Sequence, residues 1–161
     1  TENTLHMETR TTDMDKDGDL DLIISHSRYS PYYGGDYLQI IRNDAGKFVD
    51  ISSAAIRQDN SDVYAGFLQW SPALYVKDVS KDGKDDIVFA RQDGTLRIFI
   101  NENGASFRNF NVSLPPSEGS GKLIGFDDFD GDGNFEAVYW QYGGTADRKD
   151  YFVNLYKLIF A

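Results

Sequence analysis

Apolar residues in this chain come in short runs bounded by acidic and glycine-rich turns, as in DLIIS at 21–25, DIVFA at 86–90 and EAVYW at 136–140. Runs of this length suit strands buried on one or both faces, and no segment sustains a 3.6-residue period, so helices are expected to be minor. The strands group into units of four. Strand A is expected at 5–12, 73–77 and 122–126, strand B at 21–25, 86–91 and 136–141, strand C at 37–42, 95–100 and 151–159, and strand D at 47–52 and 106–113. Between C and D, Asn43, Gly46 and Phe48 recur as Asn101, Gly104 and Phe107, the marks of a tight hairpin turn. The stretch AAIRQDNSDVYAGFLQWSP at 54–72 reads as a connecting loop.

The segment joining A to B also recurs. DMDKDGDLDLII starts at Asp13, DVSKDGKDDIVF at Asp78 and DFDGDGNFEAVY at Asp128, offset by 65 and then 50 residues. Four-stranded units at such spacing fit the blades of a β-propeller. The chain is therefore expected to be all-β, a single propeller arc with blade one at 1–56, blade two at 57–116 and an incomplete blade three at 117–161 that lacks strand D. A closed ring takes roughly four to eight blades. Either the arc belongs to a longer propeller, or copies of the chain associate to close the ring. Thr1 is not a methionine, so the chain is expected to be processed or excised from something longer.

Aligned by position, the three A-to-B loops have a ligand pattern. Position 1 holds Asp13, Asp78 and Asp128; position 3 holds Asp15, Ser80 and Asp130; position 5 holds Asp17, Asp82 and Asp132. Position 6 is glycine each time (Gly18, Gly83, Gly133), and position 9 is Asp21, Asp86 or Glu136. Oxygens at alternating positions wind the chain around one point, the glycine takes the sharp turn, and the carbonyl of position 7 (Asp19, Lys84, Asn134) can add a neutral ligand. Up to three Ca²⁺ are expected. An EF-hand is rejected because position 12 is Ile24, Phe89 or Tyr139 rather than a carboxylate, and strand-like residues follow. Oxygen donors disfavour Zn²⁺ and Cu²⁺, and six or more of them on a flexible loop suit Ca²⁺ better than Mg²⁺. Acidic turns can simply be solvated, but three in phase, each with its glycine, argue against that. Loop two is expected to bind least tightly, because Ser80 replaces a carboxylate and Lys81 and Lys84 crowd it.

Charge supports the same picture. The 161 residues carry 26 acidic and 16 basic side chains, a net of −10, and three Ca²⁺ would bring that to −4 (−10 plus 6). Two carboxylates roughly 4 Å apart repel by about 4 kcal/mol at an effective dielectric near 20, so loops that gather three or four should fray without a cation. The same field repels phosphate backbones and no basic stripe offsets it, so nucleic acid is not an expected partner. No cysteine is present, which removes disulfides, thiolate zinc sites and thiol nucleophiles. No apolar run approaches the roughly 20 residues needed to cross a bilayer, and membrane insertion is not expected.

With three copies of D-x-[DS]-x-D-G-x-x-[DE] before an apolar strand, the chain resembles the FG-GAP/VCBS repeat family, found in integrin α subunits and in bacterial and fungal surface or secreted proteins. The resemblance implies the propeller fold, structural Ca²⁺ in the A-to-B loops, and service as an adhesion module, a lectin or a scaffold attached to an enzyme or toxin. No Phe-Gly precedes loop one, and Gly-Ala-Pro after strand B is replaced by ISH and FAR, which favours the broader VCBS-like group over the integrin form.

Strand direction alternates, so A-to-B loops and C-to-D hairpins should share one face of the arc, and the other connections the opposite face. That second face carries Tyr29, Tyr32, Tyr33 and Tyr37 in SRYSPYYGGDY, and Trp70, aromatics suited either to contacting a protein or carbohydrate surface or to packing over a blade edge. An enzyme is not expected: His6 and His26 are the only histidines and neither sits in a triad or ligand arrangement, while the regularly spaced carboxylates are committed to metal. Asn111 in NVS is a glycosylation acceptor only in a host that glycosylates. The expected function is a non-catalytic calcium-binding module for adhesion or ligand binding, or the scaffold of a larger secreted enzyme or toxin. Exposed loops of modest affinity suit millimolar calcium, so an extracellular, cell-surface or periplasmic location is expected.

Overall fold

A computed structural model describes residues 4–28, 36–56, 73–90, 95–114, 121–145 and 148–159. They form three antiparallel sheets. The first contains β1 (Thr4–Thr12), β2 (Asp21–Arg28), β3 (Asp36–Asp44) and β4 (Lys47–Asp50). The second contains β5 (Leu74–Lys77), β6 (Asp86–Ala90), β7 (Thr95–Asn101) and β8 (Phe107–Ser113), and the third β9 (Gly121–Asp127), β10 (Phe135–Thr145) and β11 (Arg148–Leu158). Each strand pairs with the next along the chain, the meander expected of propeller blades. The stack does not close into a ring.

Several strands run a few residues past their expected bounds, β2 to Arg28 and β3 to Asp44 among them, and two differences have a clear physical reason. Strand D of the first sheet ends at Asp50 rather than 52, because Ser52 opens a one-turn helix, α1 (Ser52–Ala55). The Ser52 hydroxyl accepts from Ile40 N–H (2.9 Å) and donates to Asp50 (2.6 Å), so its bonds turn the chain out of the ladder. In the third sheet the β10–β11 ladder runs on to Thr145–Arg148, through Gly143 and Gly144, past the expected strand ends at 141 and 151, although glycine is a weak strand former. Backbone pairing with β11 overrides that propensity.

Burial explains why the apolar runs look as they do. In β6 all five residues are buried, because the second sheet is covered on both faces. On one face Val88, Ile98 and Ile100 meet Leu123, Phe126, Ala137 and Tyr139 of the third sheet. On the other, Ile87, Phe89 and Phe99 meet Ile23, Leu38 and Ile40 of the first, with Met14, Ala55 and Ile56 filling in. β2 buries only alternate residues, the pattern of a sheet covered on one side. The outer face of the third sheet stays bare: Val138 pairs with Leu155 and Trp140 with Val153, and Val153 and Leu155 are 63% and 62% exposed.

Polar joints lock the blades at the loop end. Glu8 accepts from Leu74 N–H (2.7 Å), and the Thr12 hydroxyl donates to Asp85. Asn101 donates through Nδ2 to Met14 O (2.8 Å), and Lys77 pairs with Asp127 (3.0 Å).

Candidate metal centres

The three acidic loops share one backbone design. The position 1 aspartate folds back onto the N–H groups of positions 5 and 6: Asp13 accepts from Asp17 (3.0 Å) and Gly18 (3.1 Å), Asp78 from Asp82 (3.0 Å) and Gly83 (2.8 Å), Asp128 from Asp132 (3.1 Å) and Gly133 (2.9 Å). The position 5 aspartate then accepts from the N–H of position 7, at 2.9 Å for Asp17–Asp19, Asp82–Lys84 and Asp132–Asn134. Gly18, Gly83 and Gly133 have φ of +97°, +87° and +85°, the left-handed region glycine enters without a Cβ clash. Position 4 is left-handed too, at Lys16 (+64°), Lys81 (+61°) and Gly131 (+74°). That second turn was missed in sequence because two of its three residues are lysine; Gly131 was the only signal.

Position 9 ties each loop to its sheet. Asp21, fully buried, accepts from Met14 N–H and Asn43 N–H, both at 2.8 Å; Asp86, also fully buried, accepts from Ser80 N–H (2.9 Å) and Asn101 N–H (2.7 Å). Each carboxylate oxygen keeps a further lone pair for a cation. Glu136, 1% exposed, accepts from Phe129 N–H (2.9 Å) through Oε2, while Oε1 has no hydrogen-bond partner. Asp15 Oδ1 is likewise buried and unpartnered. Ser80 Oγ makes no hydrogen bond of ordinary geometry, although the hydroxyl sits near enough to Asp82 and Asp86 to favour their ionised forms. Each loop thus holds one buried side-chain oxygen without a hydrogen-bond partner, although in loop three that oxygen, Glu136 Oε1, has the Lys157 ammonium 3.6 Å away.

The loops differ in what they gather. Single oxygens of Asp13, Asp15 and Asp17 lie within 4.8 Å of one another, as do those of Asp128, Asp130 and Glu136. Among the described residues the second loop assembles no such set, since Ser80 stands in its position 3. Burial, followed by the charges of Asp17 and Asp21, pushes the Asp15 carboxyl above its usual range, and burial does the same to Asp86. A divalent cation would relieve both. The donor set is oxygen only, so a hard cation such as Ca²⁺ fits the residues present. The remaining expected residues fall out variously. Asp19 turns its carboxylate to Ala45 N–H (2.9 Å), bracing the β3–β4 turn, which leaves its carbonyl to the loop. Asn134 donates to Asp132 (3.1 Å) and accepts from Lys81 (3.3 Å), so Lys81 reaches the third loop rather than crowding its own. Lys84 does crowd loop two, pairing with Asp82.

Lys157 was not foreseen. From β11 its ammonium reaches Asp130 (2.8 Å), Asp132 and Glu136 (3.6 Å), the side chains at positions 3, 5 and 9 of loop three. This contact holds the Asp132 carboxyl down to about 2 and raises Lys157. Two hairpin residues were seen only as turn formers. Asn101, fully buried, caps its turn through Gly104 N–H (2.6 Å) while holding Met14 O, and Gly104 lies so close to loop one that an added Cβ would sit 2.2 Å from Asp15 Cβ.

Of the expected ligand-face residues, Tyr37 is half-buried, its ring tilted against His26 at 5.9 Å between centroids. Tyr29, Tyr32, Tyr33 and Trp70 lie outside the described residues.

A family model described as an FG-GAP-like repeat matches residues 78–145, from the start of loop two to the end of β10. No curated protein and no solved structure matches the chain.

Proposed function

We propose, from the match of residues 78–145 to an FG-GAP-like repeat model, that the chain is a calcium-stabilised propeller module that binds rather than catalyses. The observation that carries this reading is a buried oxygen without a hydrogen-bond partner in each loop, at Asp15, Ser80 and Glu136. Asp13, Asp15, Asp17 and Asp21 would hold the first ion, Asp78, Ser80, Asp82 and Asp86 the second, and Asp128, Asp130, Asp132 and Glu136 the third, with the carbonyls of Asp19, Lys84 and Asn134. The ion supplies charge compensation and a cross-link between loop and sheet. Calorimetric titration with Ca²⁺, alongside melting in EGTA and in millimolar Ca²⁺, tests the reading. Ca²⁺ is expected to raise the melting temperature by several degrees, with Asp17→Ala removing the tightest binding event; equal melting in both buffers would sink it.

The partner is a protein or carbohydrate surface met by the aromatic residues Tyr29, Tyr32, Tyr33, Tyr37 and Trp70, as the sequence suggests, and the setting is outside the cytoplasm, where calcium is millimolar. Support for a non-catalytic role comes from the histidines: His6 bonds Thr9 (2.8 Å), His26 bonds Gln39 (3.1 Å), and the two rings meet edge-on at 6.3 Å. Binding to a glycan or protein array is expected to fall when Tyr32 and Tyr33 are both replaced by alanine; unchanged binding rejects these aromatics as the contact. A second reading, a scaffold within a larger secreted enzyme or toxin, is favoured by the bare outer face of the third sheet, which the stacking of the other two sheets would cover with a further blade. Among the described residues no helix is long and apolar enough to cross a membrane.

A further inference from the structure

The residue opposite position 9 on strand C decides what cation a loop already owns. Leu22 pairs with Ile41, which sets Asp21 beside Arg42; Ile87 pairs with Phe99, which sets Asp86 beside Ile100; and Glu136 pairs directly with Lys157. Loops one and three therefore have a basic residue at the same place, and loop two an aliphatic one. The two basic residues behave differently. Arg42 is clamped by both oxygens of Asp44, at 2.6 and 3.0 Å, and its Nε stays 3.9 Å from Asp15. Two residues beyond Lys157 the chain has Ile159, where Arg42 has Asp44. The Lys157 ammonium sits among Asp130, Asp132 and Glu136, although Glu136 is almost fully buried.

We infer that Lys157 is a built-in counter-cation of loop three: its ammonium takes the place a divalent cation would take, and the two exclude each other. Loop three then keeps its shape without metal and binds calcium more weakly than loop one, in which Arg42 is clamped by Asp44 and reaches only Asp15, at 3.9 Å. Bound Ca²⁺ must displace Lys157 into solvent. The inference rests on the calcium reading above.

The test uses the full chain carrying Asp17→Ala and Asp82→Ala, which leaves loop three as the remaining centre, with and without Lys157→Met. Loss of the competing ammonium is expected to tighten Ca²⁺ binding there by about tenfold or more. In EGTA the Lys157→Met chain is expected to melt below its parent, and saturating Ca²⁺ to close the gap. On the unsubstituted chain, acylation of Lys157 by an amine-reactive ester, followed by peptide mass spectrometry, is expected to rise severalfold in Ca²⁺. Unchanged affinity in Lys157→Met, or labelling of Lys157 indifferent to Ca²⁺ while loop one still binds, overturns the inference and leaves the calcium reading standing. Absence of Ca²⁺ binding by every variant, including the chain with loop one intact, overturns both.

Discussion

Gly46 and Gly104 occupy the same step of their hairpins, both with positive φ (+89° and +77°), yet they differ in what surrounds them. An added Cβ at Gly46 would meet nothing within 4 Å, whereas at Gly104 it would meet Asp15 at 2.2 Å from Cβ and 2.5 Å from Cα. The first substitution carries only the left-handed backbone penalty, about 1–2 kcal/mol. The second must also push the loop that holds Asp13, Asp15 and Asp17. Gly104→Ala is therefore expected to destabilise the chain by about 2–4 kcal/mol and to weaken Ca²⁺ binding at loop one, while Gly46→Ala leaves that binding unchanged. Urea denaturation and calorimetric titration on the pair would show it, and equal calcium affinities would reject the packing argument. In sequence both residues read simply as the glycine of an Asn-x-x-Gly turn; the clash with Asp15 comes from a neighbouring blade 89 positions away (104 minus 15) and has no local signature.

At the scale of elements, β6 is apolar from Ile87 to Ala90 and β7 is buried from Leu96 to Asn101, Arg97 included, because both faces of their sheet are covered. The third sheet reads similarly in sequence but is covered on one face only. Leu155, Val153 and Ile124 lie exposed, and Phe129 leans over Gly125, where an added Cβ would lie 3.2 Å from its ring. A contiguous apolar face of this kind on a strand meander is what a neighbouring blade normally buries. The proposed further blade, or a second copy, predicts concentration-dependent association of the isolated chain. Light scattering is expected to report it, and Val153→Lys with Leu155→Lys to abolish it. A monodisperse monomer at high concentration, for the unsubstituted chain, would remove this support for a longer propeller.

Over the whole molecule, the charges and the joints coincide. The net of −10 is concentrated at the loop end, where Asn101–Met14, Thr12–Asp85, Lys77–Asp127 and Lys81–Asn134 connect one blade to the next. Compensating the loops therefore acts on the contacts between blades as well as on each turn. This is why a change in Ca²⁺ is expected to move the melting of the entire chain rather than fray single loops.

Much of this architecture was already written along the chain. Strand order, the three acidic turns, their glycine at position 6 and the grouping into four-stranded units follow from short-range chemistry: apolar runs, Asn-Gly turns and alternating oxygens act within about ten residues of one another. The tertiary structure decided what distant residues do to those turns. Lys157 enters loop three because the β10–β11 register sets it opposite Glu136; Arg42 reaches loop one only at 3.9 Å from Asp15 because Asp44 holds it. Which loop carries its own cation depends on cross-strand register and on packing between blades, and those are set only when the chain has folded.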